Sequence, residues 1–409
     1  MKTDFWKLIA ANFIITAAMY FMIPTLPQIL LHELDLNPVL ATAATSITGI
    51  AVFALGPFCS YSIQRFRRNK VCISSIAITA ATFLIASYII DEMQTNAKSE
   101  EYAMALIATR IASGAFFGLS LIILNSTLII DSCESNKRTQ ANAISSWTHL
   151  LAIPAGMSGG ILTQMESNTQ DVFYTACAAN IIAIVLIMRT RFPFKAPEET
   201  IKKCSFDRFI ATSCVTFAIP ALFASMTFGG TAIRINNTEQ LAYLGTGSIA
   251  AICCLILSHT NSKNKGKGLE KFRISRRGIA ISACAGYAIS LLSILLTIYS
   301  TAITVSHYAT NAATACLGAG TILILSNIHL CLIESADHCQ RGSAESTYLL
   351  TVELGTAIGI ALYTLLYIPS SKGETTTTCV PDALSLVFSI ISAITYFIII
   401  WRKAKAFFK

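Results

Sequence analysis

Glu353 and Arg110 are the two strongly ionisable side chains that stand well inside long apolar runs of this sequence. Holding a charge in such a run is costly, so the residue faces protein or a water-filled cavity and is a candidate functional group by default. Glu353 lies about nine residues into the run 344–368, and Ser346 and Thr356 share its face at i−7 and i+3. A carboxyl in that setting suits reversible proton binding. The plainer reading is a neutral carboxyl hydrogen-bonded between helices, and the cost of the site favours the first. Arg110 keeps its charge under ordinary conditions. It can bind an anionic group, tune a nearby carboxyl, or brace helix packing through backbone carbonyls, and the sequence leaves these open.

Other polar residues interrupt the apolar runs more gently. His149, within the run 141–164, has the chemistry of a proton relay, although a lone histidine hydrogen-bonded between helices is the reading with more weight. His307 and His329 lie nearer the ends of their runs and carry less. Asn12, Thr16, Tyr20, Pro24 and Gln28 follow one another at i+4 steps. Such a stripe faces a cavity or a neighbouring helix, since lipid offers it no hydrogen bonds. Asn125 is a weaker candidate of the same kind. Gly156, Gly159, Gly160, Gly355 and Gly359 permit close helix approach. The thirteen cysteines show no paired metal-ligand or disulfide spacing. No phosphate loop, zinc helix or nucleophile elbow is present. The sequence therefore indicates no catalytic residue, metal or cofactor.

The elements that hold these residues follow from composition. Of 409 residues, 54% are hydrophobic and 13% charged, against about 25% charged in soluble domains. A membrane crossing needs about 20 mainly apolar residues. Runs of this kind occur at 5–31, 38–62, 71–91, 102–130, 141–164, 171–189, 209–230, 238–259, 277–299, 305–333, 344–368 and 382–401. Consecutive spans in lipid must be helical, because the backbone has no other partner there. The expectation is an all-α integral membrane protein of about twelve transmembrane helices. The first run is too long for a secretion signal and carries Pro24 and Pro27, so it is expected to be retained. With spans alternating, 26 of the 30 Lys and Arg fall on the side of the N-terminus. They include Arg65 to Lys70 and the cluster from Lys263 to Arg277, while Lys98, Arg234 and Lys372 fall opposite. The positive-inside rule then puts both termini in the cytoplasm. The net charge of +8 reflects topology and contact with anionic lipid rather than nucleic-acid binding.

The polar stretch 189–208, with two prolines and mixed charge, reads as a cytoplasmic linker between a six-helix bundle at 1–188 and another at 209–409. Two such pseudo-symmetric halves suggest a repeat architecture with a site at the midplane between them. The segment from Ser60 to Lys70 is similar to the Gly-x-Leu-Ala-Asp-Arg-x-Gly-Arg-Arg-Lys loop of the major facilitator superfamily. Arg65, Arg68 and Lys70 match it, while Gln64 stands at the Asp position. Arg110 to Gly114, followed by Asp131 and Arg138, resembles the family's Arg-x-x-x-Gly motif. Ile153 to Gly160 is similar to its Gly-Pro-rich fifth helix, with Pro154 displaced in register. The resemblance covers essentially the whole chain, and bacterial drug and metabolite exporters look nearest. It implies a gating loop at Arg65, Arg68 and Lys70, and a pathway along the first helix of each half. With Glu353 as a coupling-proton site, the expectation is a proton-coupled secondary transporter of the bacterial cytoplasmic membrane that exports a small organic solute, and the resemblance implies a monomer. Sugar-type nutrient uptake, or a non-transporting membrane sensor on the same scaffold, is the alternative.

Overall fold

In the computed structural model the apolar runs form helices, as a solvent without hydrogen bonds demands of the backbone. The structure describes residues 3–95, 99–134, 137–190, 214–235, 237–259, 276–302, 307–336, 340–366 and 379–407. Among these there are helices and no strand. The first pass consists of α1 (Thr3–Tyr20), α2 (Met22–Gln28) and a π-helical end at Ile29–Glu33. Pro24 accounts for the break between α1 and α2: it cannot donate to the Tyr20 carbonyl, and its ring crowds that oxygen. Then come α3 (Pro38–Arg65) and α4 (Arg68–Thr95). The fourth pass is α5 (Ser99–Ile123), a π-helical turn at Leu124–Leu128 and the short α6 (Ile129–Asp131). Next are α7 (Arg138–Glu166), α8 (Thr169–Met188), α9 (Val215–Ala232) and α10 (Thr238–His259). The chain ends with α11 (Arg276–Ala302), α12 (His307–Ser335), α13 (Arg341–Leu366) and α14 (Cys379–Phe407).

Eleven of these passes are long and apolar enough to cross a membrane, by length and composition alone. The exception among the twelve expected is α7, helical throughout but too polar to qualify. Its polar residues Asn142, Ser145, Ser146 and His149 are buried against protein rather than turned outward. Side chains cap some of the helix starts. Asn37 accepts from the Val39 N–H at 2.9 Å ahead of Pro38, and Asn168 with Asp171 forms a capping box on α8. The expected boundaries shift by a few residues. The consequential shift is at α13, which begins at Arg341 rather than 344 and so carries Glu345 inside the helix.

The passes pack in a repeated pattern. α1 lies against α7 and α8, α3 against α5, and α4 against α5 and α8. The later passes do the same: α9 lies against α13 and α14, α10 against α12, and α11 against α12 and α14. Small residues bring equivalent pairs together. A Cβ on Gly160 would stand 2.2 Å from the Phe21 carbonyl of the first pass, and one on Gly359 2.2 Å from the Met226 carbonyl of α9. Contacts between the two sets run through α3 with α13 and through α7 with α10 and α12. Residues 191–208 of the expected linker lie outside the described residues, as do Lys2, Lys98, Lys372 and the basic stretch from Lys263 to Arg273.

Candidate functional site

Glu353 sits where the two sets of helices meet. It is 6% exposed, and its backbone carbonyl lies against Gly49 of α3, where a Cβ would come within 2.5 Å. The Tyr20 hydroxyl, at the end of α1, donates to Oε1 and Oε2 at 3.2 Å each. His149 Nε2 of α7 stands 3.7 Å from Oε1. The carboxyl thus projects from α13 onto groups of α1 and α7. One turn back along α1, Thr16 Oγ1 lies 3.2 Å from His149 Nδ1, which fixes the imidazole from its other edge.

A further turn back, Asn12 belongs to a second cluster. Asn125 Nδ2 donates to Asn12 Oδ1 and to the Leu121 carbonyl, both at 2.9 Å. Ser145 Oγ donates to Asn125 Oδ1, and Asn12 Nδ2 reaches the Ser145 carbonyl at 3.4 Å. Asn125 occupies the π-helical turn Leu124–Leu128, a local widening that often marks functional positions in helices. The i+4 stripe on α1 therefore faces protein along its length. Asn12, Thr16 and Tyr20 each meet a different partner, and each of the three is buried.

Arg110 and Glu353 line one small pocket with Met19, Tyr20, Thr45, Ser46 and Thr48. Arg110 is 2% exposed, and its Nε and Nη1 have no hydrogen-bond partner. Gln28 stands apart from the network. It lines a cavity of about 440 Å³ together with Thr231, Arg234, Gln240, Thr314 and Tyr363. Arg234 is paired there with the buried Asp382. Of the gating-loop candidates, Arg65 and Lys70 are exposed. Arg68 Nη1 bonds Asp131 Oδ2 at 2.7 Å and so ties the start of α4 to the end of the fourth pass.

Two expectations need correction. Arg110 and Glu353 are not the only ionisable residues deep in the helices: Glu345, 1% exposed, lies 2.5 Å from His329 Nε2. His329 is fully buried rather than peripheral. A run starting at 344 makes Glu345 look terminal, and nothing in the local pattern links it to a histidine sixteen residues earlier, across a turn. The available signal is the pairing itself: an acid and an imidazole at the facing ends of consecutive apolar runs. Asp382 likewise reads, from sequence, as the polar start of its run.

The model of the Major Facilitator Superfamily matches residues 8–360. The chain therefore belongs to this superfamily. No curated protein matches the sequence. Among solved structures, the human organic anion transporter MFSD10 (TETRAN) superposes with a TM-score of 0.68 at 11% identity, over 97% of this chain and 99% of that one. The nucleoside transporter NupG, in a mutant form, gives 0.66 at 13% identity over 97% and 98%. A bacterial homologue of the iron transporter ferroportin, in an outward-facing state, gives 0.65 at 12% over 97% and 99%. At these identities the likeness is one of fold. Family and fold together support membrane transport rather than catalysis.

Proposed function

We propose that the protein is a proton-coupled secondary transporter that exports a small organic solute by alternating access. In this reading the helices of 1–188 and 209–409 are the two moving bodies, joined by the 189–208 linker. The protein is a monomer in a bacterial cytoplasmic membrane, and the basic loops put both termini in the cytoplasm. The observation that carries the reading is Glu353: a buried carboxyl from one set of helices whose polar neighbours, Tyr20 and His149, belong to the other. Ionised, it accepts from the Tyr20 hydroxyl. Protonated, it can donate to His149 Nε2, which has no hydrogen-bond partner of its own. Each protonation state thus favours a different contact across the junction, and such a difference is what shifts an equilibrium between two arrangements of the halves.

The larger cavity supports a neutral or weakly charged solute. In its lining, hydroxyl and amide residues such as Gln28, Thr231, Gln240 and Thr314 are set among apolar ones such as Leu31 and Leu317, and its cation Arg234 is offset by Asp382. The test is proton flux in inverted membrane vesicles with an acidified interior, using wild type and Glu353→Gln and a panel of amphipathic drugs, sugars and small acids. A compound that discharges the gradient in wild type but not in the variant supports the proposal. If nothing discharges it despite verified expression, proton-coupled export of that panel is wrong.

A further inference from the structure

Along α13 from Glu353, in the direction of Arg341, lies the second buried acid–histidine pair. His329 and Glu345 are 0% and 1% exposed, and their contact is 2.5 Å long. Eight residues of helix separate Glu345 from Glu353, a rise of about 12 Å. Tyr348 fills part of that interval. Its ring centroid is 4.7 Å from that of His329, and its hydroxyl stands beside Ser146 of α7, outside hydrogen-bond geometry. Ser146 precedes by three residues His149, the group that faces Glu353. Helices α7, α12 and α13 thus enclose a run of polar side chains: Glu353, His149, Ser146, Tyr348, His329 and Glu345.

The atoms along this run are short of partners. His149 Nε2, Ser146 Oγ, Tyr348 OH, His329 Nδ1 and Glu345 Oε1 are all buried without a hydrogen bond. Interiors leave few such groups, and here they are contiguous. Packing does not call for a buried acid–imidazole pair, since apolar residues of similar volume often hold helices together as well or better. The pair is cheapest to bury when net neutral, with one acidic proton shared between His329 Nε2 and Glu345 Oε2. Losing that proton leaves a carboxylate and a neutral imidazole; gaining another leaves an imidazolium and a neutral acid. Among the described residues the ionisable groups facing the pair include His149 from α7 and Tyr348 from α13. Arg341 lies one turn before Glu345 on α13, with its Nε unpartnered.

We propose that the Glu345–His329 pair is a second proton-binding site, joined to Glu353 through His149, Ser146 and Tyr348. It extends the proton-coupled reading above, because it gives the coupling carboxyl a partner site on the side where α13 begins. Infrared difference spectroscopy of the full-length protein in liposomes, followed through a pH titration, reads the carboxyl stretch directly. Wild type should show two carboxyl transitions. Glu345→Gln should remove one and keep the other, Glu353→Gln should do the converse, and His329→Gln should move the Glu345 midpoint. A Glu345→Gln titration superimposable on wild type overturns the proposal. Should that variant fail to fold, His329→Gln decides: one displaced transition supports the second site, and two unmoved transitions overturn it. A Glu345 transition seen without any from Glu353 would support this site while contradicting the coupling role given to Glu353.

Discussion

Tyr20 is the side chain whose loss should separate coupling from folding most cleanly. Its hydroxyl donates to both oxygens of Glu353, and a hydrogen bond to a charged group contributes about 1.5–3 kcal/mol. Tyr20→Phe keeps the buried ring, so proton-driven transport in proteoliposomes is expected to fall about tenfold or more while the protein still folds. Transport at the wild-type rate would remove Tyr20 from the account. Asn125 should behave in the opposite way. It joins Asn12, Ser145 and the Leu121 carbonyl, and Asn125→Ala takes this partner from the buried Asn12 Oδ1 and Ser145 Oγ. The expected loss is about 1–3 kcal/mol, measurable as a lower thermal unfolding midpoint in detergent. At this scale the sequence is informative where burial cost is one-sided. Glu353, Arg110 and the α1 stripe stand out because a polar group in an apolar run needs a reason. Glu345 does not, because its oddness depends on a helix boundary that lies three residues earlier than the apolar run suggests.

The helices themselves depend on close approach. A Cβ on Gly160 would meet the Phe21 carbonyl at 2.2 Å, whereas one on Gly245 would meet nothing within 4 Å. Gly160→Ala should therefore force the first pass and α7 apart, at about 1–3 kcal/mol, and lower the yield of folded protein. Gly245→Ala should be neutral or slightly stabilising, and equal melting points for the two variants would contradict the packing described. The Arg68–Asp131 pair is half-exposed at best, so Asp131→Asn should change stability by less than about 1 kcal/mol. If the pair latches the start of α4 to the fourth pass, the same variant alters transport turnover instead, and unchanged turnover would make it a passive surface contact. The helices are legible in the sequence because hydrocarbon leaves the backbone no alternative. The break at Phe21 is foreshadowed by Pro24. The π turn at Asn125 is not, since no residue type encodes it, and α7 is recognisable although it is less apolar than its neighbours.

Across the whole molecule, the pairing of α1 with α7 recurs as α9 with α13, and the two sets of helices touch along α3 with α13. In the proposed mechanism Glu353 is the point where a proton biases that junction. Eleven of the twelve expected passes are apolar enough, among the described residues, to be read from their apolar runs alone. The contact between Glu353, Tyr20 and His149 cannot, because those groups converge from distant parts of the chain, and only the folded bundle brings them within reach. In the proposed mechanism Glu353 couples proton movement to the rearrangement without being needed for the rearrangement itself. The most direct measurement compares, in proteoliposomes with a solute identified by the flux panel, solute exchange at equal pH with accumulation driven by a pH gradient. Glu353→Gln is predicted to keep exchange and to lose gradient-driven accumulation. Accumulation at the wild-type level, or loss of both activities in a folded variant, would contradict the account.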